Sequence, residues 1–396
     1  MIDLMISASE ARSIINGCCG IPQMQQVDIS ECCGCVLSKD ISASINLPPF
    51  DQSSMDGYAF SFESWDKLSP LPIRGEVRAG AQNTDKVPFG CAIRIFTGAP
   101  LPEGTDTVVM QEKVRVENNQ IQMVDPAVVA GQNVRTKGSR VKQGALVLPA
   151  NTYINPAGAG LLASIGLRHV SVFSKPTVTI VITGNELTEP GERLLPGKIY
   201  DSSSYSLIAA LKELSIYCEI IRCTDSTNEI TMAIQSALEH SHLVLISGGV
   251  SVGDYDFTLP ALKQAGAVIR FHQVKQRPGK PFCLATLNGQ MIFGLPGNPA
   301  SVLVCFYEYV QPAILKLSCE LEKNPVKRFN LSKDFEKPAG WTFFLRGKIN
   351  GKEVTVLPGQ ESDRLDTFAH ADCIIHLDES RTRYHAGDMV DVRLLT

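Results

Sequence analysis

The runs "TVTIVIT" (177–183) and "HLVLISGG" (242–249) decide the architecture. Each is a continuous apolar run of the kind a strand needs when both faces of a parallel sheet are covered by helices. Between them, "DSSSYSLIAALKELSI" (201–216) places Leu207, Leu211 and Leu214 on one helical face behind a cap at Asp201 or Ser202. "CEIIRCT" (218–224) then returns as a strand. Further on, "TLPALKQAG" (258–266) predicts a helix and "AVIRFHQV" (267–274) a strand. "FCLATLNGQMIFGL" (282–295) predicts a hairpin turning at Asn288-Gly289, and Pro299 opens a final helix. Residues 176–319 are thus an open α/β domain.

Outward from that domain the composition changes. Residues 47–144 are rich in Gly, Pro and short β-prone runs such as "LPIRGEVRAG" and "CAIRIFTGAP", and predict an inserted β module. Within it, "VRVENNQIQMV" (114–124) is a hairpin around Asn118-Asn119. Residues 1–45 suggest helix, turn, helix, and Pro156 starts another helix, so 1–46 plus 145–175 form a helical or linker domain. Residues 320–396, with "TFFLRGKI" and "EVTVLP", predict a small C-terminal β domain. A chain of 396 residues accommodates three or four domains.

A composition of 44% hydrophobic and 20% charged residues is that of an ordinary globular protein. The net charge of −4 disfavours nucleic acid as a general partner, so any anion site must be local. No apolar run approaches a bilayer span, and "MIDLMISASEARSII" has no basic start or cleavage site, so a cytoplasmic protein without membrane contact is expected. The 12 cysteines then read as reduced thiols. Cys32 and Cys35 have metal-ligand spacing, but no second Cys or His pair stands nearby and core filling is the better account.

In open α/β sheets, ligands bind beyond the carboxyl ends of the strands. The first strand ends at Glu186 and the second is followed by Asp225. The third leads into "SGGVSVGDYDF", with Ser247, Gly248, Gly249, Ser251, Gly253 and Asp256. The fourth runs into "KQRPGKPF", with Lys275, Arg277, Pro278, Gly279 and Lys280. The last reaches "PGNPAS", with Pro296, Gly297 and Asn298, a glycine turn into a helix whose free N–H groups suit an anion. Glycines admit close backbone approach, and Lys and Arg supply charge for phosphate. Carboxylates in the same cleft require a bridging hard cation such as Mg²⁺, unless they are merely solvated loop charges. A second cluster, "PPFDQSSMDGYA", holds Asp51, Ser53 and Asp56 close to Gly57, and "IFTGAPLPEGTDTVV" holds Thr97. By composition either is a turn as readily as a site.

Together "SSMDGYA", "TGAPLPEGTDTVV", "SGGVSVGDYDF", "RPGKPF" and "GLPGNPASV" closely resemble the molybdopterin molybdenumtransferases, in the family's order and over almost the whole chain. The resemblance implies four domains, with a β-barrel-like C-terminal one, in an elongated homodimer. It implies that adenylylated molybdopterin and molybdate yield molybdenum-loaded molybdopterin and AMP with Mg²⁺. The cleft would lie between the α/β domain of one subunit and the β module of the other.

Carried over by motif, Asp56, Thr97, Glu186, Asp225, Asp256, Lys275, Lys280 and Arg346 of "FLRG" become the catalytic set. Glu186, Asp225 and Asp256 become metal ligands. Ser247, Gly248, Gly249, Ser251, Gly253, Pro278, Gly279, Pro296, Gly297, Asn298 and Ser362 become pterin contacts. Departures fall at Asn185, where an Asp is common, at Ser139-Arg140, where an acidic residue is frequent, and at Asp366-Thr367, where a Ser pair is frequent. The resemblance also implies a possible molybdopterin adenylyltransferase partner. The rival readings are a pterin adenylyltransferase, which shares the α/β domain, and a non-catalytic molybdopterin-binding scaffold.

Overall fold

A computed structural model describes residues 5–81, 85–124, 127–249, 256–321 and 325–395. Ser251 and Gly253 lie outside the described residues. The chain divides into two compact units, residues 25–172 and residues 1–24 with 173–396, each described by itself.

The first unit is built on a six-stranded sheet. Its strand order is Thr107–Met110, Gly57–Phe60, Ala92–Ile95, Leu71–Val77, Gln120–Met123, Val114–Glu117. The pairings are antiparallel except for the parallel contact of Leu71–Val77 with Ala92–Ile95. Tyr58 and Phe60 face one core with Trp65 and Val109, while Ala59 faces a second with Ile93 and Val108, as the twofold period of a strand requires. Asn118 and Asn119 take left-handed conformations at the expected hairpin, with φ of 50° and 60°.

The segments flanking this module differ from the helical expectation. After the helix Ala8–Cys18 the chain turns through Gly20 and Pro22 into the strand Met24–Asp28 and a single 3₁₀ turn, Ile29–Glu31. Residues prone to break helices outweigh the weak apolar period there. Downstream, Pro156–Ser164 is a helix capped by Asn155, whose Oδ1 accepts from the Gly158 amide at 2.8 Å. Cys32 is wholly buried in an apolar cluster with Leu37 and Ile154. All twelve cysteines are free thiols.

In the second unit we label β1 (Met5–Ile6), α1 (Ala8–Cys18), β2 (Val178–Thr183), α2 (Ser203–Glu213), β3 (Cys218–Cys223), α3 (Thr227–His240), β4 (Leu243–Ser247), α4 (Thr258–Gln264), β5 (Val268–Val274), β6 (Pro281–Leu287), β7 (Gln290–Leu295), α5 (Pro299–Cys305) and α6 (Gln311–Leu317). The sheet order is β1-β5-β6-β7-β4-β2-β3. The ladder from β3 through β2 and β4 to β7 is parallel, and β7, β6 and β5 run antiparallel, so the sheet is mixed. Every residue of β2 and β4 is buried. Ile180 and Ile182 pack with Leu207 and Leu211 of α2 on one face, while Val181 packs with Ile230 and Ile234 of α3 on the other. The unbroken apolar runs exist because both faces are covered.

Between α5 and α6 one π turn, Phe306–Val310, carries the wholly buried Glu308. Its carboxylate accepts from Arg12 of α1 at 2.7 Å, His376 at 2.8 Å and Arg393 at 2.9 Å. The last two belong to the C-terminal region, where β8 (Lys327–Leu331), β9 (Thr342–Asn350), β10 (Glu353–Val356), β11 (Cys373–Leu377) and β12 (Met389–Leu394) close a barrel in the order β8-β10-β9-β11-β12-β8. The two-residue strand Gln276–Arg277 pairs in parallel with Thr342 and Phe343 of β9, joining the α/β part to the barrel by main-chain bonds.

Candidate active site

A cleft of about 780 Å³ opens at the carboxyl ends of the parallel strands. Thr183 ends β2, and its hydroxyl donates to Asp225 Oδ1 at 2.6 Å. The Asn185 amide donates to Asp225 Oδ2 at 2.9 Å, and the Asp225 amide returns a bond to Asn185 Oδ1 at 3.3 Å. The Asn185 main chain thus holds the Asp225 carboxylate, while its side chain holds the Asp225 amide. Glu186 extends exposed from the same loop, and both it and Asp225 line the cleft.

Ser247 ends β4, and the backbone then needs glycine. Gly248 has φ +101°, and a Cβ there would stand 2.1 Å from the Thr183 carbonyl oxygen. Gly249 lines the cleft. Asp256 is set back from it. Its Oδ1 accepts from the Leu259 amide at 3.2 Å in the first turn of α4, and its Oδ2 lies 3.5 Å from His272 Nε2.

The turn after β5 supplies the cations. Arg277, Pro278, Gly279 and Lys280 all line the cleft. Gly279 has φ +86°, and a Cβ would come within 2.8 Å of Cys305 Sγ. Lys275 is not brought there. Its amide donates to Ile6 and its carbonyl accepts from Thr342, and its charge acts on Glu10.

Pro296, Gly297 and Asn298 line the cleft as the strand-end rule places them. The expected anion site at the helix start is not open. The Ala300 and Ser301 amides donate to the Ser362 carbonyl at 3.1 and 3.3 Å, and Asn298 Nδ2 donates to Ser362 Oγ at 2.7 Å. A carbonyl from the barrel loop occupies the place an anion would take. Arg346 lies behind that loop, wholly buried, and burial pushes its guanidinium down to about 10. It contacts the wall from the protein side and does not line the cleft. Gln360 and Glu361 do line it, beside Ser362. Neither was singled out in the sequence, because the contact that brings "LPGQES" to the cleft is long-range; its only local signal is the Pro358-Gly359 turn.

Asp56 and Thr97 form a pair within the other unit. Asp56 precedes the strand Gly57–Phe60 and Thr97 follows Ala92–Ile95, two strands paired in the sheet. Asp56 Oδ1 accepts from the Thr97 amide at 2.8 Å and its hydroxyl at 2.7 Å.

Among the described residues no three His, Cys, Asp or Glu side chains gather closely enough to hold a metal ion. Glu186, Asp225 and Asp256 therefore make no protein-only cage. Mg²⁺ does not require one, because it binds one or two carboxylates and completes its shell with phosphate oxygens and water. Asp225 accepts one bond on each oxygen and Glu186 is exposed in the same cleft, so this hard-oxygen pair suits an ion shared with a bound phosphate.

A mixed α/β sheet whose strand ends collect two carboxylates and two cations, walled by a barrel loop, defines an enzyme that handles a charged small molecule. Family models agree in order along the chain. Residues 6–166 match the MoeA N-terminal region (domain I and II), 179–316 a probable molybdopterin binding domain, and 328–395 the MoeA C-terminal region (domain IV). A molybdopterin molybdenumtransferase of Haemophilus influenzae is 34% identical over 98% of this chain and 98% of its own. One from a Nostoc species is 39% identical over 74% of this chain and 69% of its own. A crystal structure of a molybdopterin biosynthesis MoeA protein from Pyrococcus horikosii superposes with a TM-score of 0.84 at 29% identity, covering 99% of both chains. The chain belongs to the molybdopterin molybdenumtransferase family. Among the described residues no helix is long and apolar enough to cross a membrane.

Proposed function

We propose that this protein inserts molybdenum into adenylylated molybdopterin, taking molybdate as the metal source and releasing AMP. The observation that carries the reading is the sharing of one cleft by Glu186 and Asp225 with Arg277 and Lys280. The two cations neutralise the phosphate oxygens and the oxyanion, and glycine turns at 248–249 and 279 let the main chain approach the ligand. Mg²⁺, held by Glu186 and Asp225 together with the substrate's phosphate, would supply charge neutralisation as the phosphate bond breaks. Asp256 supports the start of α4 beside this set, and Arg346 supports the barrel wall.

The family resemblance supports a homodimer in which Asp56 and Thr97 of a second copy complete the site. It also supports a cytoplasmic setting and delivery of the substrate by an adenylyltransferase. The test is AMP release from adenylylated molybdopterin, with molybdate and Mg²⁺ each present or omitted, for the wild type and Glu186→Gln. Release that needs both and is lost in the variant is expected. Tight pterin binding without release would leave a scaffold in place of an enzyme. An active, stable monomer in sedimentation would remove the second copy from the site.

A further inference from the structure

The barrel's contribution to the cleft is the loop 357–362, and its hydrogen bonds converge on one strand residue. Arg346 of β9 donates its amide to Gln360 Oε1 at 2.9 Å, and its carbonyl accepts from Gln360 Nε2 at 2.9 Å and from the Leu357 amide at 3.0 Å. Gln360 Nε2 also donates to the Leu357 carbonyl at 2.8 Å. The side-chain amide thus pairs with the Arg346 main chain as a neighbouring strand would, with one donor and one acceptor. The Arg346 guanidinium reinforces the same stretch. Its Nη2 donates to the carbonyls of Gly359 at 3.0 Å and Glu361 at 2.9 Å, and Nε and Nη1 are buried with no hydrogen-bond partner.

At the loop's far end, Ser362 carries the α5 amides on its carbonyl and Asn298 on its hydroxyl. The wall is therefore suspended between β9 and the start of α5. Gln360 is the only uncharged side chain among these ties that both donates to and accepts from the main chain of the same strand residue.

We propose that Gln360 is a positioning residue which, with Arg346, sets the cleft wall carrying Glu361 and Ser362. Arg346 then acts through the loop rather than by touching substrate. The effect on turnover rests on the function proposed above, while the effect on the wall does not.

The test separates the two. Gln360→Met keeps the side chain's length but removes both bonding roles, and amide exchange is followed in peptides spanning 296–305, 343–347 and 373–377. Exchange at Ala300 and Ser301, and at the Arg346 amide that loses its Gln360 acceptor, is expected to accelerate on the order of tenfold, with 373–377 unchanged. Unchanged exchange at Ala300 and Ser301, or equal acceleration in 373–377, would overturn the proposal. Gln360→Glu gives a second readout. Protonated, its carboxyl donates and accepts as the amide does and protection returns. Ionised, it faces the carbonyls of Arg346 and Leu357 and the wall opens, so protection must fall as pH rises; a pH-independent result also overturns the proposal. In turnover, Gln360→Met should raise KM on the order of tenfold with kcat within about threefold. Lost kcat at unchanged KM would place Gln360 in the chemistry instead. A wild type without turnover would defeat the functional reading and leave the exchange result to judge Gln360.

Discussion

Asp56 Oδ1 accepts both the amide and the hydroxyl of Thr97, at 2.8 and 2.7 Å, so one carboxylate oxygen ties the ends of two adjacent strands. The Thr97 amide first and its hydroxyl second hold the Asp56 carboxyl below its ordinary value of 3.8. Because the folded value is depressed, the linked stabilisation is present above the unfolded value and disappears as pH falls through the folded one. Thr97→Val removes the hydroxyl and keeps the amide. The Asp56 titration, followed by carboxyl NMR, should move up toward 3.8 without reaching it. An unmoved midpoint would show that the hydroxyl contributes nothing.

Two glycines with similar backbone angles should respond very differently to a methyl group. Gly248 has φ +101° and a Cβ would strike the Thr183 carbonyl oxygen at 2.1 Å, whereas Gly266 has φ +83° and open space around it. Gly266→Ala should cost about 1 kcal/mol for the left-handed backbone alone. Gly248→Ala should cost about 3 kcal/mol or more, because strand ends β2 and β4 must separate. Urea unfolding midpoints decide; equal losses would mean that the turn relaxes freely.

Burial alone would raise the Glu308 carboxyl, but His376, Arg393 and Arg12 outweigh it and hold it far below the usual range. That depressed value makes the stabilisation complete at neutral pH, and it is lost progressively as pH falls below the ordinary 4.5 and through the folded value. Glu308→Gln leaves the two arginines without their carboxylate and should destabilise the protein by about 3–5 kcal/mol. A loss under about 1 kcal/mol in denaturant unfolding would show that the hub is easily rearranged.

The cationic turn offers a contrast between neighbours. Lys280 lines the cleft, while Lys275 lies away from it near Glu10. Lys280→Ala should raise KM for adenylylated molybdopterin on the order of tenfold to a hundredfold, and Lys275→Ala by less than about threefold. Comparable effects would mean that the turn rearranges when substrate binds.

Glu186→Gln removes a hard ligand without changing side-chain size. The Mg²⁺ concentration for half-maximal AMP release should rise on the order of tenfold. An unchanged Mg²⁺ requirement would take Glu186 out of the ion's shell.

Elements defined by local pattern were legible in the sequence. β2 and β4 announce themselves by continuous burial, the β6–β7 hairpin by Asn288-Gly289, and α5 by Pro299. The strand-end rule likewise located Glu186, Asp225 and Lys280. What escaped depends on contacts distant along the chain. Gln360 is held at the cleft by Arg346 of β9, a strand that pairs with Gln276–Arg277, and the α5 amides are satisfied by Ser362, 62 residues beyond Ala300. Lys275 sits two positions from Arg277, yet its amide and carbonyl are committed to Ile6 and Thr342. Charge type and spacing carry no record of such commitments.

The strand Gln276–Arg277 belongs to the barrel's hydrogen-bonded sheet although the chain has not yet entered the barrel. The cationic turn that lines the cleft is therefore tied to both bodies at once. Swinging the barrel aside would tear out the cation platform along with it. A barrel that moves at this cleft therefore carries the 276–280 turn with it, unless the pairing of Gln276 and Arg277 with Thr342 and Phe343 first breaks.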